Sequence, residues 1–380
     1  MARPDYEQSI VNLVSSLVQA VGGEPSDYAP LAALQGRLAN KGPLVLLIID
    51  GLGDLFLQER RPSFLARHRL GRLTSVFPPT TAAAITSFFT GVAPQQHAIT
   101  GWHTYFRELG TVATVLPFMP RCGGSTFSEM GVSPTQLIDH GSVLHEKEAC
   151  HILMPAALAD SAYSRALAGR ARRHAFTSLP DMFARLESLV ARQSAALVIC
   201  YWSELDSLAH GHGTESVEVA DHFAALDAAC AASLPRLAAG GATVAVTADH
   251  GLINTGAESL IRLEDHPELA AMLTLPLCGE PRCAYCYVHV DRGRDFEEYV
   301  ARRLGHAAVL YRSRTLVEQG YLGRGRVSPH LLERLGDYIL LMKGNYIIKD
   351  RLINGKSFQQ VGVHGGLSDE ELYVPLILVG

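Results

Sequence analysis

The chain has 380 residues, 48% of them apolar and 19% charged, with a formal net charge of −5 at pH 7. That length fits one large domain with insertions, or two domains, and the composition can build a large core. The acidic balance argues against a protein that grips duplex nucleic acid, which would carry a basic face, and no run of like charges marks an interaction tail.

In chain order, the opening "MARPDYEQSIVNLVSSLVQAVGG" has no basic cluster leading into an apolar core. No signal peptide is expected there, and a cytoplasmic location is the default. "LVLLII", residues 44–49, is the first buried strand, followed by the loop "DGLGD"; "LTSVF" is a short strand. In "FPPTTAAAITSFFTG", residues 77–91, a Pro-Pro turn hands over to a helix. Residues 100–190 contain glycine-rich loops placed to cover a site. "AALVICYWSELD" holds a strand near 196–201, and "ATVAVTADHG" holds another near 242–247. Between them "VEVADHFAALDAACAASLPRLAAGG" is helical and closes on paired glycines. "YVPLILV" is the last strand, at 374–379. These apolar runs are strand-sized, so no membrane-spanning helix is expected. Continuous apolar strands alternating with helices predict an α/β fold, a mostly parallel central sheet sandwiched by helices.

Residues 262–355 differ in character, with "AYCYVHV", the helix-like "FEEYVARRLG", the short "AVLYRS" and the helix-like "HLLERLGDYILLM". They read as a smaller α+β subdomain inserted into a core built from 1–261 and 356–380. The seven cysteines, Cys122, Cys150, Cys200, Cys230, Cys278, Cys283 and Cys286, are scattered and odd in number, so no disulfide framework is implied. Cys283 and Cys286 have C-x-x-C spacing, but no second such pair completes a zinc site, and the segment alternates like a strand.

The chemistry gathers where the strands end. Asp50 follows the first strand, Asp206 and His210 follow the third, and Asp249 and His250 follow the fourth; His364 stands in "GVHGG" before the last. In open parallel sheets, ligands bind outside the carboxyl ends of the strands. One aspartate at a strand end is ordinarily a turn former. Three aspartates and three histidines collected there supply the oxygen and nitrogen ligands that zinc prefers, enough for two ions. Asp206 and His210 are one helical turn apart and can face one ion. Glycine beside each histidine lets backbone approach closely.

Thr80 and Thr81 stand where the Pro-Pro turn meets that helix, and either could cap it. A hydroxyl at a helix N-terminus also lies in a field that favours negative charge. A metal ion in the same place would favour the alkoxide and make threonine a nucleophile.

The ordered set of D-G, F-P-x-x-T with T-G ten residues later, D-x-x-x-H-x-x-G, D-H-G and H-G-G, spanning residues 50–366, resembles the alkaline phosphatase superfamily. Within it the set resembles the nucleotide pyrophosphatase/phosphodiesterase, or type I phosphodiesterase, family. The resemblance implies a catalytic Thr81, because the T-G spacing fits only when the second threonine is counted. It implies one zinc held by Asp206, His210 and His364, and a second held by Asp50, Asp249, His250 and the Thr81 oxygen. It further implies a phosphodiesterase or pyrophosphatase working on a small phosphate ester through a covalent phosphothreonine. The family carries an asparagine after "HGI" to hold a phosphoryl oxygen; here the segment reads "HAITGWHTYF", so Trp102 takes that place and His103 is the neighbouring candidate for substrate contact. The alternatives within the superfamily are a phosphomonoesterase and a phosphonate or sulfate ester hydrolase. A sulfatase lacks support because no C/S-x-P-x-R motif is present. A monoesterase would need added positive charge; the nucleophile segment 77–91 holds no arginine, although Arg107 lies nearby in sequence.

Overall fold

The computed structural model describes residues 2–24, 26–38, 42–144, 149–192, 196–351 and 360–380. Its centre is a seven-stranded sheet with the spatial order Arg69–Thr74, Tyr373–Val379, Thr243–Thr247, Leu44–Ile49, Leu197–Trp202, Cys150–Pro155 and Arg172–Phe176. From Thr243–Thr247 to Arg172–Phe176 all neighbours run parallel. The last strand returns to this sheet as expected, antiparallel to both of its neighbours. Every residue of Leu44–Ile49 and of Leu197–Trp202 is buried, as a parallel strand covered on both faces requires. Helices flank the sheet: Ile10–Ala20 packs on Thr81–Thr90, and Leu179–Ala191 packs on Val217–Ala239. The last of these is capped by Ser216, whose hydroxyl accepts from the Val219 N–H, and it ends at Gly240. No helix among the described residues is long and apolar enough to cross a membrane.

Two local readings differ from the structure, and one stretch holds strands beside its expected loops. The short strand expected at "LTSVF" lies earlier, at Arg69–Thr74, where it pairs with the final strand. The stretch 100–190 contributes two strands to the central sheet, Cys150–Pro155 and Arg172–Phe176. The second is an edge strand rich in arginine and histidine, so no apolar run announces it. "HLLERLGDYILLM" is a five-residue helix, Leu331–Leu335, that stops before Gly336 at φ +67° and becomes the strand Tyr338–Met342. A short apolar run is compatible with either element, and full burial inside a sheet selects the strand.

A second seven-stranded sheet runs in the order Ala308–Arg312, Tyr338–Met342, Cys283–Cys286, Cys278–Glu280, His103–Phe106, Thr111–Thr114 and Met119–Pro120, antiparallel throughout. Segment 262–355 supplies four of its strands, and residues 103–120 supply the other three. Cys286 faces one apolar cluster and Cys283 another, the alternation of an ordinary strand. No disulfide links any of the seven cysteines among the described residues.

A buried ion pair ties this sheet to the final strand. The Arg282 guanidinium donates to both Glu371 oxygens, at 3.0 and 2.7 Å, and to the Tyr346 carbonyl at 2.6 Å. Glu371 also accepts from the Gly366 N–H at 2.7 Å, in the loop that carries His364. Both side chains are essentially inaccessible. Arg282→Met should therefore destabilise the protein by about 3–5 kcal/mol, because it strands a buried carboxylate. Urea unfolding checks this, and a change below about 1 kcal/mol would show that the pair is dispensable.

Candidate active site

Each sequence-predicted ligand lies at the carboxyl edge of the central sheet. Asp50 follows Leu44–Ile49 directly, and Asp249 and His250 follow Thr243–Thr247. Asp206 and His210 lie on the helix Glu204–His212, one turn apart, so both reach the same point. His364 follows the short strand Gly362–Val363, which pairs with Ile253–Asn254 and carries the loop back over the sheet edge. The fold thus forms two clusters, Asp206 with His210 and His364, and Asp50 with Asp249 and His250. Within each, one ligand atom per residue lies within 4.8 Å of the others. The clusters share a wall, because the rings of His250 and His364 stack with centroids 3.7 Å apart.

The hydrogen bonds aim these groups inward. His210 Nδ1 faces the Gly362 carbonyl at 2.7 Å, His250 Nδ1 the Gly251 carbonyl at 3.1 Å, and His364 Nδ1 the Pro79 carbonyl at 3.1 Å. A carbonyl can only accept, so each Nδ1 carries a proton and each Nε2 is the ring nitrogen turned to the cluster. His250 Nε2 lies 3.4 Å from Asp50 Oδ1 and 3.5 Å from Asp249 Oδ2; His210 Nε2 lies 3.3 Å from Asp206 Oδ2. Burial, reinforced by the neighbouring imidazoles His250 and His210, holds His364 well below the usual histidine range, so it is neutral.

The carboxylates test whether this set suits a cation. Asp50 Oδ1, Asp206 Oδ1 and Asp249 Oδ2 are buried without a hydrogen-bond partner. Burial raises Asp50, and the charges of Asp249 and Asp206 raise it further; burial also raises Asp206. Three crowded acids with orphaned oxygens, facing three imidazole Nε2 atoms, form a donor set that fits a pair of divalent metal ions. Tyr201 supports it by donating its hydroxyl to Asp50 Oδ2, and the Gly51 and His250 N–H groups donate to Asp249 Oδ1 at 3.2 and 3.0 Å. Glycine is required at two of the flanking positions. A Cβ on Gly251 would meet the Glu370 carbonyl at 2.0 Å, and Gly365 has φ +108°. Gly211 beside His210 stands in open space and carries no such demand.

The two threonines separate cleanly. Thr80 is the extended N-cap residue of the helix Thr81–Thr90, yet its hydroxyl makes no capping bond; it donates to the buried carboxyl of Glu280. Thr81 opens the helix, and its Oγ1 lies 3.1 Å from His250 Nε2, against the Asp50 cluster. Trp102 and His103 both line the cavity with Thr81, Asp50, Asp206, His210 and His364. The Trp102 backbone N–H donates to Glu280 at 2.7 Å. His103 lies 3.4 Å from the Thr114 hydroxyl and is pushed down to about 3 by burial and by Arg121, so it is a neutral imidazole. The cavity measures about 1820 Å³.

Sequence reasoning missed Glu280 and Tyr201. Tyr201 sits inside an apolar strand, and Glu280 ends the unremarkable triplet Cys278–Glu280, so neither is marked by its neighbours.

Known proteins share this architecture. The structure of murine ectonucleotide pyrophosphatase / phosphodiesterase 5 superposes with a TM-score of 0.67 at 16% identity, covering 89% of this chain and 88% of that one. An inactive threonine-to-alanine variant of the murine protein, in complex with AMP, gives 0.66. Phosphonoacetate hydrolase from Sinorhizobium meliloti 1021, in complex with phosphonoacetate, gives 0.65 at 16% identity over 89% of this chain and 90% of that one. No curated protein sequence matches the chain. The profile described as Type I phosphodiesterase / nucleotide pyrophosphatase matches residues 44–121 and 123–367. The chain that gathers these six aspartates and histidines at one sheet edge therefore belongs to the type I phosphodiesterase / nucleotide pyrophosphatase family.

Proposed function

We propose that the protein is a two-zinc phosphodiesterase or nucleotide pyrophosphatase that uses Thr81 as its nucleophile. The observation that carries this reading is the Thr81 hydroxyl, 3.1 Å from His250 Nε2 and beside two clusters with orphaned carboxylate oxygens. Asp206, His210 and His364 would hold one ion; Asp50, Asp249, His250 and Thr81 Oγ1 would hold the other. When bound, such ions supply Lewis-acid stabilisation of charge on the oxygens around phosphorus.

The chain's own groups do the rest. The helix N-terminus favours negative charge on Thr81 Oγ1. That oxygen attacks phosphorus, forming an O–P bond as the bond to the leaving oxygen breaks and the departing alcohol takes up a proton in place of the one Thr81 gave up, which produces a phosphothreonine that still carries the diester's other group. Water then attacks the same phosphorus and restores the Thr81 hydroxyl. Ligand pockets commonly span roughly 300–1,000 Å³, so a cavity of about 1820 Å³ has room for groups on both sides of a phosphodiester. The AMP complex of the murine neighbour and the phosphonoacetate complex of the bacterial one support a small phosphorus-bearing substrate. Trp102 and His103 on the cavity wall are the proposed substrate contacts.

The test is turnover of an aryl phosphodiester and an aryl phosphomonoester, before and after chelation and after zinc is returned. Hydrolysis of the diester should vanish with the metal and come back with zinc. Full activity in protein stripped of all metal would sink the mechanism.

A further inference from the structure

Glu280 is a buried carboxyl on the cavity wall that neither Asp/His cluster uses. It is 7% exposed. Among the described residues its hydrogen bonds come from the Thr80 hydroxyl and the Trp102 backbone N–H, both to Oε1. No arginine or lysine donates to it among the described residues, although a buried carboxylate ordinarily has a cation beside it. The loop after His364 lies against its stem so closely that a Cβ on Gly365 would come within 2.8 Å of the Glu280 Cβ. Glu280 is therefore wedged between the residue preceding the nucleophile, the residue facing the cavity at Trp102, and the loop of a metal-type histidine.

A negative charge in that position acts on every anion that approaches Thr81. A phosphodiester carries one negative charge, whereas a phosphomonoester carries close to two above a second pKa of about 6. In a partly desolvated pocket the added charge is repelled far more strongly than in water. Resting on the phosphoester hydrolase reading above, we propose that Glu280 is a specificity-determining residue, whose carboxylate disfavours the second charge of a monoester and biases this centre towards monoanionic diesters. The Thr80 and Trp102 donors support the role by stabilising the ionised form against burial, which raises the group to about 7.

The experiment compares kcat/KM for an aryl monoester and an aryl diester at about pH 8.5, where a carboxyl titrating near 7 is ionised. It uses the zinc-loaded wild type, Glu280→Gln and Glu280→Asp. Gln keeps the acceptor oxygen and removes the charge, so the monoester-to-diester ratio should rise at least about tenfold; Asp keeps the charge and should hold the ratio within about threefold of wild type. A Gln variant whose ratio stays within about twofold of wild type overturns the proposal. So does a wild-type enzyme that prefers the monoester, a result that needs no variant to fold. A wild type inactive on both esters instead removes the functional reading on which this proposal rests.

Discussion

Thr81→Ala is expected to abolish multiple turnover of a phosphodiester, with kcat falling by at least about a thousandfold. The reason is positional. Thr81 Oγ1 is the hydroxyl beside the Asp50 cluster, and alanine leaves no oxygen there to attack phosphorus. The variant should keep both metals largely bound, since all six aspartate and histidine ligands remain. Thr81→Ser should retain partial activity, because only a methyl is lost. Thr80→Ala should cost much less, about the worth of one hydrogen bond, since the Thr80 hydroxyl points to Glu280 and away from the clusters. The three variants are measured on one diester, and a quenched wild-type reaction is searched for phosphate on the peptide containing residues 77–91. An active Thr81→Ala enzyme, or label on Thr80, would overturn the assignment.

His364→Ala is the second large effect. It removes one of three donors from the Asp206 cluster and leaves the Asp50 cluster complete. Metal content should drop from two ions towards one, and turnover should fall by two orders of magnitude or more, as expected when several kcal/mol of charge stabilisation is lost. The fold should survive. His364 lies in a loop, its side chain is tied by a hydrogen bond to the Pro79 carbonyl, and the Arg282–Glu371 pair still anchors the segment through Gly366. Metal analysis, turnover and thermal unfolding on the same sample separate these outcomes. Wild-type metal content together with wild-type turnover would show that His364 is no ligand.

Much of the candidate site was legible because its signals are local. Asp50, Asp249 and His250 directly follow apolar strands, and in a parallel sheet that position faces the ligand crevice. Asp206 and His210 declare a shared face by their four-residue spacing on a helix. The central sheet followed from its continuous apolar runs in the same way, while Arg172–Phe176 stayed hidden because an edge strand needs no apolar run. The partition of "HLLERLGDYILLM" stayed hidden for a related reason: its apolar residues suit both periods, and the choice lies with the neighbouring strands Cys283–Cys286 and Ala308–Arg312.

By itself the sequence determined the residue types that gather at the strand ends, the helix that begins at the threonine pair and the order of motifs that identifies the family, all properties of neighbours along the chain. Only the tertiary structure decided which threonine hydroxyl meets His250, that three strands from 103–120 complete the second sheet, and that Glu280 is buried against Thr80, Trp102 and Gly365. Those outcomes depend on desolvation and contact between segments far apart in the chain, and a carboxyl's burial, its partners and the charge it presents to a substrate are set by that packing.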